Sequence, residues 1–377
     1  MRRFLARLLR PRPAAPPPLS ATIDLDDPAI SADPFPANEA LRAEGPVVRL
    51  DRHGFWLVLG YEAAREVFAS PERFSSAPYA FVDTAMLSAD PPRHGPVRRI
   101  VSRAFAGEAL RRAERLAGET AAASIRPDME AVRGFARPLS RRVAADLIGY
   151  GSEALEAIAR TEDEAEASRA PDAFVRICAT LDELAPGAAM FQRFEEDGAP
   201  LLGSDDCRSL VRLLWLASSA TTERTISHAL LRLAEEPALC RRLRQEPHLI
   251  APFVEEVVRL NPPEHLIRRR VVADTDLAGA ALPAGAEINV CLPGANRDPA
   301  VFDDPAALRL ERGGSGNLSF GSGIHQCVGG PMTRRVVAAA VGAFVRAAEA
   351  PRLSAEVEWV HAMMVRAPRT LRIRTAS

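Results

Sequence analysis

Cys327 stands in the run Phe320-Gly321-Ser322-Gly323-Ile324-His325-Gln326-Cys327-Val328-Gly329, a glycine-rich loop just ahead of an Ala- and Val-rich helical stretch from Met332 to Ala348. Backbone N–H groups in such a loop, together with a helix N-terminus, favour an anionic sulfur. The glycines permit dihedrals that other residues resist and let the backbone lie against a flat ligand. By residue type alone, the loop suits a thiolate that acts as a nucleophile or binds a metal. The other four cysteines, Cys178, Cys207, Cys240 and Cys291, are scattered through apolar or mixed segments without a Cys-x-x-Cys spacing. They read as small buried thiols in a reducing compartment, not as a zinc site or a disulfide framework.

Three further groups have spacings that matter. Glu256 and Arg259, in Glu-Glu-Val-Val-Arg, lie three residues apart and so share a helix face, either as a buried ion pair or as an exposed pair of little worth. His94 and Arg98 follow the breaker Pro91-Pro92 at the start of a helical region. Ser218-Ser219-Ala220-Thr221-Thr222 puts five small residues in the middle of a long apolar helical segment, Ser204 to Glu236. That run serves close packing against another helix, or leaves room for something large and supplies hydroxyls that can bend the local ladder.

The order Phe-x-x-Gly-x-His-x-Cys-x-Gly in residues 320 to 329 resembles the haem-binding loop of the cytochrome P-450 family. The resemblance implies a triangular, helix-rich single domain, mainly α with small β-sheets, holding haem b (iron protoporphyrin IX) non-covalently apart from the bond from Cys327 to iron. In that family the thiolate pushes electron density toward the iron and favours O–O cleavage. Glu256 and Arg259 match its Glu-x-x-Arg pair, here a structural support for the cysteine loop. His94, Arg98, Arg269 and His325 match its partners of the haem propionates, with Arg268 and Arg270 leaving room for a slip of one residue. Thr221 matches the threonine that helps deliver protons to bound dioxygen. Ala220 departs from the pattern, since it stands where the family has an acid, and a methyl group relays no proton. Glu223 is the nearest carboxylate in sequence, with a surface arginine as its alternative partner.

What this implies is a monooxygenase that activates O2 with electrons from a separate ferredoxin and reductase and oxidises a small organic or carrier-bound substrate, such as one of secondary metabolism. Ala220 keeps open an enzyme that uses peroxide, or that couples or dehydrogenates without inserting oxygen. A non-catalytic haem protein is a further alternative. The stretches between Phe74 and Asp90 and between Tyr150 and Ser204 are short for the family, which implies a reduced or more open roof, with Phe81, Val82 and Met86 as candidate pocket residues. Arg98, Arg99, Arg103, Arg334 and Arg335 fall where an acidic redox partner would dock.

The elements that must position these residues follow from pattern. Val47 to Leu50 and Phe55 to Leu59 flank Asp51-Arg52-His53-Gly54, which predicts a hairpin. Helices are expected over Glu62 to Ala69, Gly95 to about Ile125, Ser204 to Glu236 and Ile250 to Leu260, with short strands from Arg269 to Leu292 and an irregular segment from Asn296 to Gly330. The chain has 377 residues, 47% of them hydrophobic, and a net charge of -1, enough apolar material for a sizeable core. Near-neutrality argues against nucleic acid as a partner. All the basic residues are arginine. No run of eighteen apolar residues exists, so no transmembrane helix, no membrane association and a cytoplasmic location are expected. Residues 1–20, with interrupted apolar stretches and many prolines, are expected to be a disordered tail ahead of one domain, 21–377. Phe4, Leu5, Leu8 and Leu9 allow at most a short amphipathic turn there.

Overall fold

A computed structural model of the chain describes residues 17–168, 170–313, 316–360 and 362–375. The amphipathic turn at Phe4 to Leu9 lies outside these residues. Where the tail was expected to run to residue 20, Leu19–Thr22 is a short helix, and the N–H groups of Leu19 and Ser20 donate to the Glu44 carboxylate at 2.6 and 3.3 Å. The carboxylate satisfies two of the N–H groups that the first turn leaves unpaired.

The hairpin forms as expected, Val47–Leu50 antiparallel to Phe55–Val58, with Leu50 opposite Phe55. It continues into a five-stranded sheet. Phe55–Val58 pairs in parallel with Glu287–Cys291, which pairs antiparallel with Leu266–Val271, whose outer neighbour is Phe74–Ser75. In Leu266–Val271 the register puts Leu266, Arg269 and Val271 on buried positions, while Arg270 is exposed and Arg268 pairs with Glu287 at 2.9 Å. Arg269 lies on the strand face it shares with Val271, opposite Arg268 and Arg270, and is the buried cation of the three.

The rest is mostly helix. The single helix expected from Gly95 to Ile125 is two, His94–Arg103 and Glu108–Ser124, because Gly107 takes a left-handed φ of +57° that ends the first and redirects the chain. The main apolar core lies among Glu108–Ser124, Arg137–Ile148, the long helix Ser204–Glu235, Ile250–Leu260 and Gly330–Ala347, and a second cluster backs the sheet. Between Tyr150 and Ser204, three helices span Ser152–Ser168, Ala173–Leu184 and Ala189–Gly198. The stretch expected to give a reduced or more open roof therefore carries three helices.

The long helix stays helical through its five small residues without a kink. Ser218, Ser219, Thr221 and Thr225 each donate their hydroxyl to the carbonyl four residues back, at 2.5 to 2.8 Å. These bonds run alongside the ladder instead of replacing it.

Candidate functional site

The cysteine loop is fixed by its own backbone. The Cys327 N–H donates to the Phe320 carbonyl at 2.8 Å, and Gly321 and Gly323 take left-handed φ values of +65° and +68°. A Cβ at Gly323 would lie 2.2 Å from the carbonyl oxygen of Phe68, so only glycine fits there. Of the five cysteines, Cys327 alone is exposed. It nevertheless sits deep in the fold, where burial pushes its thiol pKa up against the N–H groups of Gly329 and Gly330 and the charges of Arg98 and Arg334. A residue both deep and open faces an internal void rather than the outer surface.

Around that void the residues singled out from the sequence come together. The rings of His94 and His325 lie 4.2 Å apart, and the Nε2 atom of each is buried without a partner. Burial lowers both pKa values, that of His325 to about 3, so both rings are neutral at pH 7. Arg98 donates Nη2 to the Gln326 carbonyl at 2.5 Å, and burial lowers its pKa. Arg269 is 5% exposed, donates only to the Arg268 carbonyl, and lies over the Phe68 ring at 5.7 Å. Neither arginine has a carboxylate partner among the described residues. Two desolvated cations and two orphaned imidazole nitrogens on one wall are costly unless an anionic, hydrogen-bonding group completes them.

The loop leading to Cys327 is held from behind by Ile250–Leu260. Glu256 and Arg259 form a fully buried two-point pair at 2.7 and 2.9 Å. Arg259 also donates to the carbonyls of Asn296, Pro305 and Ala307, and Glu256 accepts from the Arg309 N–H and from Arg312. Asn296 extends the network by accepting from the Leu318 N–H and donating to Ser319, whose hydroxyl donates to the Val258 carbonyl. Charge-assisted bonds of this kind give an irregular segment the definition that secondary structure would otherwise supply.

Ala217, Ala220, Thr221 and Arg224 fall at i, i+3, i+4 and i+7 and share one face of the long helix. Ala217 is exposed and the other three are half-buried, although the helix is elsewhere largely buried. The small run therefore borders open space and is not consumed by helix packing. Glu223 points elsewhere, bound to Arg137 at 3.0 Å. The arginine alternative holds for it, and no acid stands beside Thr221 on its own helix.

Residues 143–349 match the family described as cytochrome P-450. The chain is 31% identical to the cytochrome P-450 monooxygenase PikC of Streptomyces venezuelae, over 91% of each chain, and 30% identical to the erythromycin C-12 hydroxylase of Saccharopolyspora erythraea, over 78% of this chain and 82% of that one. It belongs to the cytochrome P-450 family. Among solved structures, CYP109Q5 of Chondromyces apiculatus superposes with a TM-score of 0.84 at 24% identity, over 95% of this chain and 99% of that one, and ligand-free TamI with 0.82 at 27%, over 100% and 97%. The fold is thus the helix-rich P-450 fold with small sheets, and the protein is a haem-thiolate monooxygenase that takes electrons from redox partners. This P-450 uses haem b, held non-covalently apart from a cysteine thiolate, and the open thiol, unpaired cations and orphaned imidazoles fit that group.

Other expected features fall differently. Met86 is buried in the main core, Phe81 is 58% exposed against the edge of Phe174, and the Val82 carbonyl accepts from Arg212. Arg334 and Arg335 are paired with Glu255 and Glu114, and Arg103 lies 3.8 Å from Asp197, so Arg99 is the exposed cation of that group without an ion pair among the described residues. Sequence reasoning missed Asn296 and Arg312, which have no recognisable spacing to Glu256. It also missed Arg224, though the three-residue step from Thr221 was there to be read. Among the described residues, no helix is long and apolar enough to cross a membrane.

Proposed function

We propose that Cys327 is the thiolate ligand of the haem iron, that His94, Arg98, Arg269 and His325 receive the propionates, and that Thr221 is the hydroxyl serving proton delivery to bound oxygen. The observation that carries the assignment is that Cys327, alone of five cysteines, is open at depth beside cations that lack carboxylates. Of the other four, Cys207, Cys240 and Cys291 are buried and Cys178 is half-buried, so none is as open. Haem supplies the redox chemistry. The chain's own part is to hold the propionates, keep the two imidazoles neutral, and place a hydroxyl on the opposite wall. Thr221 donates its one hydroxyl proton to the Ala217 carbonyl at 2.5 Å, so its oxygen can accept from an ordered water and passes a proton on only when that helix bond is released.

Electrons come from a ferredoxin-type partner in the cytoplasm, and the substrate is a small or carrier-bound organic molecule of secondary metabolism. PikC and the erythromycin hydroxylase support the former class by their names. A structural neighbour solved with a fatty acid ligated to an acyl carrier protein supports the latter. Purified holoprotein should form product from a substrate library with a ferredoxin, its reductase, NAD(P)H and O2. Ala220 favours a second reading, peroxide as oxidant, because peroxide brings its own protons. Product from hydrogen peroxide alone, with none from the reductase system, would establish that reading instead.

A further inference from the structure

Arg224 lies one turn beyond Thr221 on the open face of the long helix, and its Nη1 reaches Glu264 Oε1 at 2.5 Å and the Pro263 carbonyl at 3.4 Å. Glu264 follows the double proline where the chain leaves Ile250–Leu260 for the strand bearing Arg269. The pair therefore ties the long helix, one turn beyond Thr221, to the segment that leads into the strand bearing Arg269.

Both side chains remain open, Arg224 by 24% and Glu264 by 37%. Glu264 is nonetheless deep in the protein, and burial raises its pKa. As at Cys327, depth combined with openness means that the surface faces inward. The Arg224 Nε and Nη2 groups and the Glu264 Oε2 atom have no hydrogen-bond partner among the described residues, and none is sealed off. A stability role would need only the Arg224 Nη1 contact, which leaves these donors and this acceptor without use. Tyr79, near enough to Glu264 to feel its charge, adds a phenol that already accepts from the Arg268 N–H at 3.1 Å.

We infer that Arg224 and Glu264 together form a polar clamp in the distal cavity that selects substrates bearing a neutral donor–acceptor group, an amide or a hydroxyl, and anchors that group one helical turn from Thr221. The inference rests on the haem reading above. Paired, the two charges cancel, so the clamp offers N–H donors and a carboxylate acceptor without net charge. A carboxylate ligand would meet the charge of Glu264 at low dielectric, and an ammonium would meet that of Arg224. A hydrocarbon of equal length would leave the clamp's polar groups unanswered, a larger discrimination than shape alone provides.

The test is a spectral titration of haem-loaded protein with four ligands of similar length: decanamide, decanoate, decyltrimethylammonium and undecane. Decanamide should half-saturate the spin-state shift at a concentration about tenfold below that of undecane, as expected for a charge-assisted hydrogen bond, and the two ions should do no better than undecane. Arg224→Leu with Glu264→Leu should erase the preference. Glu264→Gln, which keeps size, should reverse it toward decanoate, a switch that a merely structural residue would not produce. Decanoate outcompeting decanamide in the wild type, no shift with decanamide, or an unchanged order of ligands in Glu264→Gln would overturn the clamp. The reduced carbon monoxide spectrum separates the two failures. Without a thiolate signature in the wild type, the haem reading falls. With that signature and no preference, the clamp alone falls.

Discussion

The two walls of the void are built on opposite principles. Behind Cys327, Glu256 and Arg259 are fully buried and Arg312 is part-buried, and each is answered by more than one partner in a network that Asn296 extends. Across the void, the face of Ala217, Ala220, Thr221 and Arg224 is open, with hydroxyls bonded only to their own helix and an arginine that keeps free donors. The first wall fixes a thiol on an irregular loop, which takes many simultaneous constraints because each missing backbone bond must be replaced. The second wall receives ligands that change, and stable helix geometry leaves its side chains uncommitted. Rigidity is concentrated around the Cys327 loop, and unspent hydrogen-bonding capacity on the face of the long helix.

The contrast can be broken first at the thiol itself. Cys327→Ser should leave a folded chain without the thiolate spectrum of the reduced carbon monoxide complex and with turnover at background. A thiolate signature persisting in that variant would remove Cys327 from its assigned role. Next comes the buttress. Glu256→Ala leaves Arg259 as a buried cation and Arg312 as a part-buried one without their carboxylate, a change that costs about 3–5 kcal/mol in comparable pairs. Thermal or denaturant melts should show that loss together with poor haem retention. A change under about 1 kcal/mol would mean that the network is ornament to a loop held by other means.

A smaller effect should come from two histidines near Arg224, His228 one turn further along the long helix and His265 next to Glu264. His228 and His265 are buried, and burial lowers their pKa values to about 4 and about 3 from 6.5. Both are therefore neutral in the folded state at pH 7, and their contribution is fully present above pH 6.5. It is lost as the pH falls from 6.5 toward these folded values, because the unfolded chain takes up the protons first. Between pH 6.5 and 5 each should cost about 2 kcal/mol of stability. Denaturant melts across that range should show His265→Phe losing less stability than the parent on acidification. Equal slopes would contradict the neutral burial.

Much of the proximal wall was legible in the sequence, because its chemistry is carried by short local spacings. Phe320 to Gly329 is contiguous, and Glu256 and Arg259 share a helix face by their separation alone. The partners that complete this wall were not legible. Asn296, Arg309 and Arg312 reach Glu256 and Arg259 through an irregular segment whose path no periodicity reports. The distal wall was legible as small residues but ambiguous in meaning, since helix packing and ligand space use the same residue types. The partial exposure of Ala217, Ala220 and Thr221 shows that packing does not use them up. The break at Gly107 was missed because one left-handed residue interrupts an otherwise continuous Arg- and Ala-rich pattern. Glu264 was missed because nothing in its neighbourhood marks it until the fold brings Arg224 alongside.

Thr221 sharpens the distal half of the comparison. With Ala220 beside it and Glu223 bound to Arg137, its hydroxyl stands without a helical acid to pair with. Thr221→Ala should therefore lower the fraction of electrons recovered in product roughly tenfold, with the balance appearing as hydrogen peroxide, while Thr221→Ser restores most of it. Peroxide-driven turnover should change far less in both variants. If Thr221→Ala couples as well as the parent, the proton route bypasses this residue and the open face serves substrate alone.

The least effect is expected on the outer surface. Arg99 is exposed and lacks an ion pair, whereas Arg334 and Arg335 are bound to Glu255 and Glu114. A paired arginine presents little net field to an approaching protein, so the steering charge at this surface falls mainly to Arg99. Arg99→Glu should raise the KM for an acidic ferredoxin a few-fold at low salt and much less at high salt, with kcat and the haem spectrum unchanged. Arg335→Glu should change KM less, because it first has to break an existing pair. The reverse order would show that the paired arginines exchange their carboxylates for the partner's, and that the docking surface is assembled on contact instead of standing ready.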